Sequence, residues 1–77
     1  MNPRVKEVHP NNDYTLNLLF DNCETKIFDV KPYLDKGLFN QLKDLELFHS
    51  VKPCLGSIQW KNGLDLCPDT LYLDSRK

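Results

Sequence analysis

The chain has 77 residues with a formal net charge of −1, which fits one domain spanning 1–77. Its 40% hydrophobic and 27% charged residues describe a globular chain rather than a disordered one. Its ten Lys and Arg are dispersed from Arg4 to Lys77, which argues against a polyanion-binding protein, because phosphate recognition needs clustered positive charge. A domain of this size buries only about 60–65% of its unfolded surface, and its stability is on the order of 3–5 kcal/mol.

Arg4 to His9 reads as a first strand, stopped by Pro10 and the polar Asn11-Asn12-Asp13 turn. Tyr14, Leu16, Leu18 and Phe20 alternate along a second strand, and Lys26, Phe28 and Val30 along a third. A three-residue loop, Asp21-Asn22-Cys23, sets Leu16 opposite Phe28 and Tyr14 opposite Val30. Cys23 then occupies a left-handed position, at a cost on the order of 1 kcal/mol for a residue with a Cβ. Pro32 opens a short helix through Tyr33, Leu34 and Asp35, which Gly37 closes. Leu38, Leu42 and Leu45 recur at α-helical spacing, with Phe39 widening the stripe. Asp44 ends that helix and caps a further turn carrying Leu47 and Phe48. The basic positions Lys31, Lys36 and Lys43 keep the helical face solvated.

Val51 to Cys54 is the next strand, and Leu55-Gly56 a tight bend. The stretch Ile58-Gln59-Trp60-Lys61-Asn62-Gly63-Leu64-Asp65-Leu66 holds the only Trp and decides the register of the last hairpin. A two-residue Asn62-Gly63 loop pairs Trp60 with Asp65 and mixes charged with apolar groups on both faces. A three-residue Lys61-Asn62-Gly63 loop instead gathers Ile58, Trp60, Leu64 and Leu66 on one face, with Gln59 and Asp65 on the other. Register follows the face to be buried, so the second reading is preferred, with Gly63 in the left-handed slot. Pro68 begins a terminal helix with Asp69 in its first turn, and Leu71 and Tyr72 pack back on the sheet. The expected fold is α+β, in the order β-β-β-α-β-β-β-α: a mostly antiparallel sheet of two hairpins plus extra strands, packed by short helices on one face.

No residue pattern points to catalysis, and the chain is read as a non-enzyme. Asp65 and Asp69 are weighed as paired carboxylates, but they read better as a polar hairpin position and a helix start. His9 and His49 adjoin turn residues, and with Cys23, Cys54 and Cys67 they form no metal-ligand spacing; no metal or cofactor is expected. The odd cysteine count fits a reducing compartment and, with no signal segment at Met1-Asn2-Pro3-Arg4 and no run long enough to span a bilayer, a cytoplasmic location without membrane contact. Gly37, Gly56 and Gly63 form no phosphate loop. Trp60, Asp65 and Tyr72 are the candidate interaction residues: aromatics are enriched at interface hot spots, although a large aromatic in a small domain is more often its core anchor.

The segment from Gly56 to Tyr72, with its Trp-x-Asn-Gly-x-Asp core followed by Pro-x-x-Leu-Tyr, resembles the bacterial family called domain of unknown function 2442, as do Phe28-Asp29-Val30 and Arg4-Val5-Lys6-Glu7-Val8. Members often carry Pro at the position of Lys61, Gly at that of Cys23 and Pro at that of Leu45. The resemblance implies a small bacterial α+β domain with no assigned activity. It also implies a protein partner encoded by an adjacent gene, as in the antitoxin-like half of a two-protein system. Three functions are therefore carried forward. The first is a protein-interaction module. The second is a nucleic-acid-binding or regulatory accessory domain using Arg4, Lys6 and Lys26. The third is a small-ligand binder or enzyme, disfavoured because so small a chain seldom encloses a ligand-sized pocket. A weak homo-oligomer through an unpaired edge, with the Arg4–His9 strand as the candidate, completes the expectations.

Overall fold

The computed structural model describes residues 3–76; Met1 and Asn2, at the head of the N-terminal segment, and Lys77, the last of the basic residues, lie outside the described residues. The architecture is α+β, with the strands divided into two antiparallel sheets of three. Strands β1 (Val5–Pro10), β2 (Thr15–Phe20) and β3 (Thr25–Asp29) form the first, in that spatial order. Strands β4 (Lys52–Cys54), β5 (Ser57–Gln59) and β6 (Asp65–Leu66) form the second. Between the sheets run a 3-10 turn at Lys31–Tyr33, a 3-10 stretch at Gly37–Lys43 and helix α1 (Leu45–Phe48). Helix α2 (Pro68–Asp74) follows β6, and Arg76 then bridges back to Ile27 on the edge of β3.

One turn design recurs three times. In the last hairpin Trp60 N donates to Leu64 O at 2.8 Å and Gly63 N to Trp60 O at 2.9 Å, so Lys61-Asn62-Gly63 is the loop and Ile58 pairs with Leu66 and Gln59 with Asp65. In the hairpin of β2 and β3, Phe20 N donates to Glu24 O and Cys23 N to Phe20 O, and Leu16 pairs with Phe28. Between β1 and β2 the same bonds run from Asn11 N to Thr15 O and from Tyr14 N to Asn11 O. The third loop residue is left-handed each time: Tyr14 at φ 65, Cys23 at φ 69 and Gly63 at φ 91. The second is always Asn or Asp, and its side-chain oxygen accepts the N–H just past the loop: Asp13 from Thr15, Asn22 from Glu24, Asn62 from Leu64. Such a short polar side chain mimics a backbone turn and holds the chain reversal. The Thr15 hydroxyl also donates to Asp13 at 2.6 Å, which holds the Asp13 carboxyl below its ordinary value.

The sidedness that these turns impose builds the core. Leu16, Leu18, Phe20, Phe28 and Val30 from the first sheet are buried with Ile58 and Trp60 from the second. Leu42, Phe48 and Leu71 close the core from the short helices. Asp44 caps α1 by accepting Glu46 N, as its position before Leu47 and Phe48 required.

The stripe expected at Leu38, Leu42 and Leu45 is corrected. Gly37–Lys43 winds as 3-10, with three residues per turn, so Phe39 and Leu42 share a side and Leu38 turns outward, 67% exposed. Left-handed Gly37 at one end and extended Asp44 at the other confine the stretch and place Leu45 beyond it, in α1.

Cys23 carries a left-handed conformation that glycine adopts without steric cost. Cys23→Gly is expected to stabilise the fold by about 1 kcal/mol, a rise in melting midpoint of about 4–8 °C for a domain of this size. A lower midpoint in thermal denaturation would reject this account of the turn.

Candidate functional site

The three candidate interaction residues separate in the structure. Trp60 is 1% exposed; its ring packs edge-on against Phe39 and tilted against Phe48, and its Nε1 donates to Phe48 O at 3.1 Å. It is the core anchor and presents no exposed ring to a partner. Tyr72 is half-buried on α2: it meets Phe20 edge-on, its hydroxyl donates to Glu24 Oε1 at 2.8 Å, and Lys26 Nζ lies 3.8 Å above its ring. Lys26 also donates to Tyr72 O at 3.0 Å, so this cluster clamps α2 onto the first hairpin. Asp65 alone is exposed on a surface open to contact.

That surface is the outer face of the second sheet. Paired residues share a face, so Lys52, Gln59 and Asp65 form one row across β4, β5 and β6. Cys54 and Ser57 form the next, and Cys67, the extended residue just past β6, lines the same hollow as they do. The opposite row, with Ile58 and Leu66, turns toward the core. Two hollows flank Gln59: one of about 380 Å3 with Cys54, Leu55, Ser57, Asp65 and Cys67 on its walls, and one of about 320 Å3 beside Lys52 and Lys61. The Ser57 hydroxyl donates to Leu66 O and so ties β5 to β6.

The lip of the first hollow is the β4–β5 turn, Leu55-Gly56, with both residues left-handed at φ 51 and φ 84. This tight two-residue turn matches the strand twist but places a leucine where glycine or asparagine is favoured. Leu55 is 91% exposed. Arg4 braces the turn: its Nη1 donates to Leu55 O at 3.0 Å, and its side chain occupies the space a Cβ on Gly56 would need, the nearest atom at 2.5 Å. Val5 N donates to Gly56 O at 2.9 Å, so the opening of the β1 edge is already covered by this chain. No signal in the sequence marked Leu55 beyond its place in a tight bend; its exposure follows from the tertiary path of β4 and β5.

The family model described as Protein of unknown function (DUF2442) matches residues 5–77. The chain belongs to that family. Nothing among curated proteins or solved structures matches it. The family description assigns no activity. Asp65 stands in the outer row of β6 and Asp69 in the first turn of α2. His9 lies 3.4 Å from Glu7 Oε1, and His49 rests against the Phe48 ring. Among the described residues no group of three or more His, Cys, Asp or Glu is placed to hold a metal ion, and no helix is long and apolar enough to cross a membrane.

Two tyrosines carry shifted phenols. Burial, then the hydrogen bond to Asp74 at 3.2 Å, raises Tyr33 above its ordinary 10.0. The hydrogen bond to Glu24, then burial, raises Tyr72. A phenol raised on folding contributes stability that is complete below the unfolded value and is lost as pH climbs through the folded one. The melting midpoint is therefore expected to fall as pH rises above 10.0. The Tyr33→Phe/Tyr72→Phe double variant should lose less over the same range, and equal losses in a paired pH titration would refute both assignments.

Proposed function

We propose that this DUF2442 chain is a protein-interaction module that binds through the outer face of the β4–β5–β6 sheet and the Leu55 turn at its lip. The observation that carries the proposal is Leu55, 91% exposed with φ 51. An exposed leucine and a left-handed leucine are each unfavourable; Arg4 Nη1 holds the backbone of the turn through Leu55 O, but the leucine side chain itself stays in solvent. Local rules broken without an internal gain are expected where a surface serves another molecule. The partner is a protein, with the product of an adjacent gene as the first candidate, in keeping with an antitoxin-like role.

The competing functions have less to support them. Of the basic strip Arg4, Lys6 and Lys26, Arg4 is engaged by Leu55 O, and Lys26 by Tyr72 O and the Tyr72 ring. Two of its three charges are therefore spent on intrachain contacts, which leaves little for phosphate. The hollows are shallow surface features beside two-residue and three-residue strands, whereas small-molecule sites usually enclose most of the ligand.

Leu55→Gly separates folding from binding. Relief of the left-handed leucine should raise the melting midpoint, by about 1 kcal/mol of stability. In co-expression with the adjacent gene products, size-exclusion chromatography should show the wild-type chain retaining its partner and the variant losing it. Retention by the more stable variant would remove Leu55 from the interface, and no co-elution with any such product would count against the module itself.

A further inference from the structure

The outer row of the second sheet has a symmetry of its own. Gln59 is central, Lys52 lies on one side and Asp65 on the other, each about 4.8 Å away in the hydrogen-bonding direction. Lys52 and Asp65 are both exposed and, among the described residues, neither enters an ion pair. The parallel row has Ser57 in the middle and Cys54 on the Lys52 side, and Cys67, just past β6 on the Asp65 side, lines the same hollow. We infer that a second copy of this chain covers this face, the two copies related by a two-fold axis running along β5.

The charges select both the occupant and the axis. A two-fold axis parallel to β5 and lying between the faces exchanges the two sides of the row. Each Lys52 then meets Asp65 of the partner subunit, and each Cys54 meets Cys67 of the partner subunit. An axis across the strands instead puts Lys52 on Lys52 and Asp65 on Asp65, an arrangement that like-charge repulsion penalises. Residues on the axis meet their own copies and must be self-complementary. Gln59 is: its amide holds both donors and an acceptor, so two copies bond reciprocally. A residue carrying a single sign of charge at this position would repel itself. The same operation carries Leu55 toward the Cys67–Pro68 end of the partner's hollow, which removes an exposed leucine from water. An isologous contact of this kind is the commonest way for a chain to associate with itself. The patch is only three short strands wide, so the dimer is weak and concentration-dependent.

This inference rests on the interaction-module reading: the second copy occupies the face when no other partner is bound, and an adjacent gene product binding there would have to displace it. Two experiments test it on the full chain. In sedimentation equilibrium the wild-type chain should pass from monomer to dimer with concentration. Lys52→Asp and Asp65→Lys should each weaken association by about tenfold, and the double variant, with the charges exchanged, should recover it. For the axis, two proteins are prepared in a Cys23→Ser background, one also Cys54→Ser and the other, isotopically labelled, also Cys67→Ser. Each keeps a single thiol, so a short bis-maleimide cannot link it within one chain. Mixed, they should give covalent dimers containing one labelled and one unlabelled chain, well above the like-with-like products that each gives alone. A chain that stays monomeric at every concentration, a double variant as weak as the singles, or like-with-like products equal to mixed ones would each overturn the inference. A monomeric chain that still retains an adjacent gene product in a Leu55-dependent way would overturn this inference alone and leave the module standing.

Discussion

The Trp60 indole joins the two halves of this fold. Its Nε1 bond to Phe48 O crosses from β5 to the end of α1, and the ring touches Phe39 of the 3-10 stretch. From those two contacts a chain of rings leads back to the first sheet on both sides. Phe48 meets Tyr14 edge-on at 5.3 Å, and Phe39 meets Tyr33, which stacks on Phe28 at 5.6 Å. The short helical segments between the sheets could not hold a fixed shape alone, since isolated helices this short are unstable in water. They are held because their aromatic residues are threaded between two sheets through one indole. The buried carbonyl of Phe48 also needs a donor, and the indole N–H supplies it.

The interior packing leaves the outer face of the second sheet outside the core. Ile58 of β5 points inward, and Lys52, Gln59 and Asp65 line the opposite face. The β4–β5 turn then carries Leu55 into solvent on the rim of that surface, and Arg4 stiffens it from the first sheet. In the proposed interaction module, this braced leucine and the row of opposite charges beside it would supply contact area and orientation together. The cysteines Cys54 and Cys67 line the neighbouring hollow without a disulfide between them, about two strand spacings apart, too far for an S–S bond across an intact sheet.

Much of the fold was legible in residue pattern. The registers of the β2–β3 and β5–β6 hairpins followed from requiring Leu16 with Phe28 and Ile58 with Leu66 on buried faces, and the structure has those pairs. The cap at Asp44 and the helix start at Pro68 were equally readable, because each acts on its own next turn. The third use of the loop design, at Asn12-Asp13-Tyr14, was not legible, because tyrosine is an unusual occupant of a left-handed position. Its ring packs on Phe48 and its hydroxyl donates to Lys43 O, contacts with residues more than 28 positions away that no local rule anticipates. The Leu38–Leu42–Leu45 stripe misled for a related reason: apolar spacing alone does not distinguish a seven-residue 3-10 stretch from an α-helix.

Of the candidate site, the sequence by itself determined which residues alternate and therefore that Gln59 and Asp65 lie opposite Trp60, because strand periodicity is a local property of the backbone. It also determined the three-residue loop after Trp60, because burying charge is too costly for any other register. Only the tertiary structure decided that Trp60 is enclosed rather than displayed, that Tyr72 is clamped by Lys26 and Glu24, and that Leu55 is left in solvent. Those outcomes depend on how two sheets and the segments between them pack, and packing is settled by contacts between residues far apart in the chain.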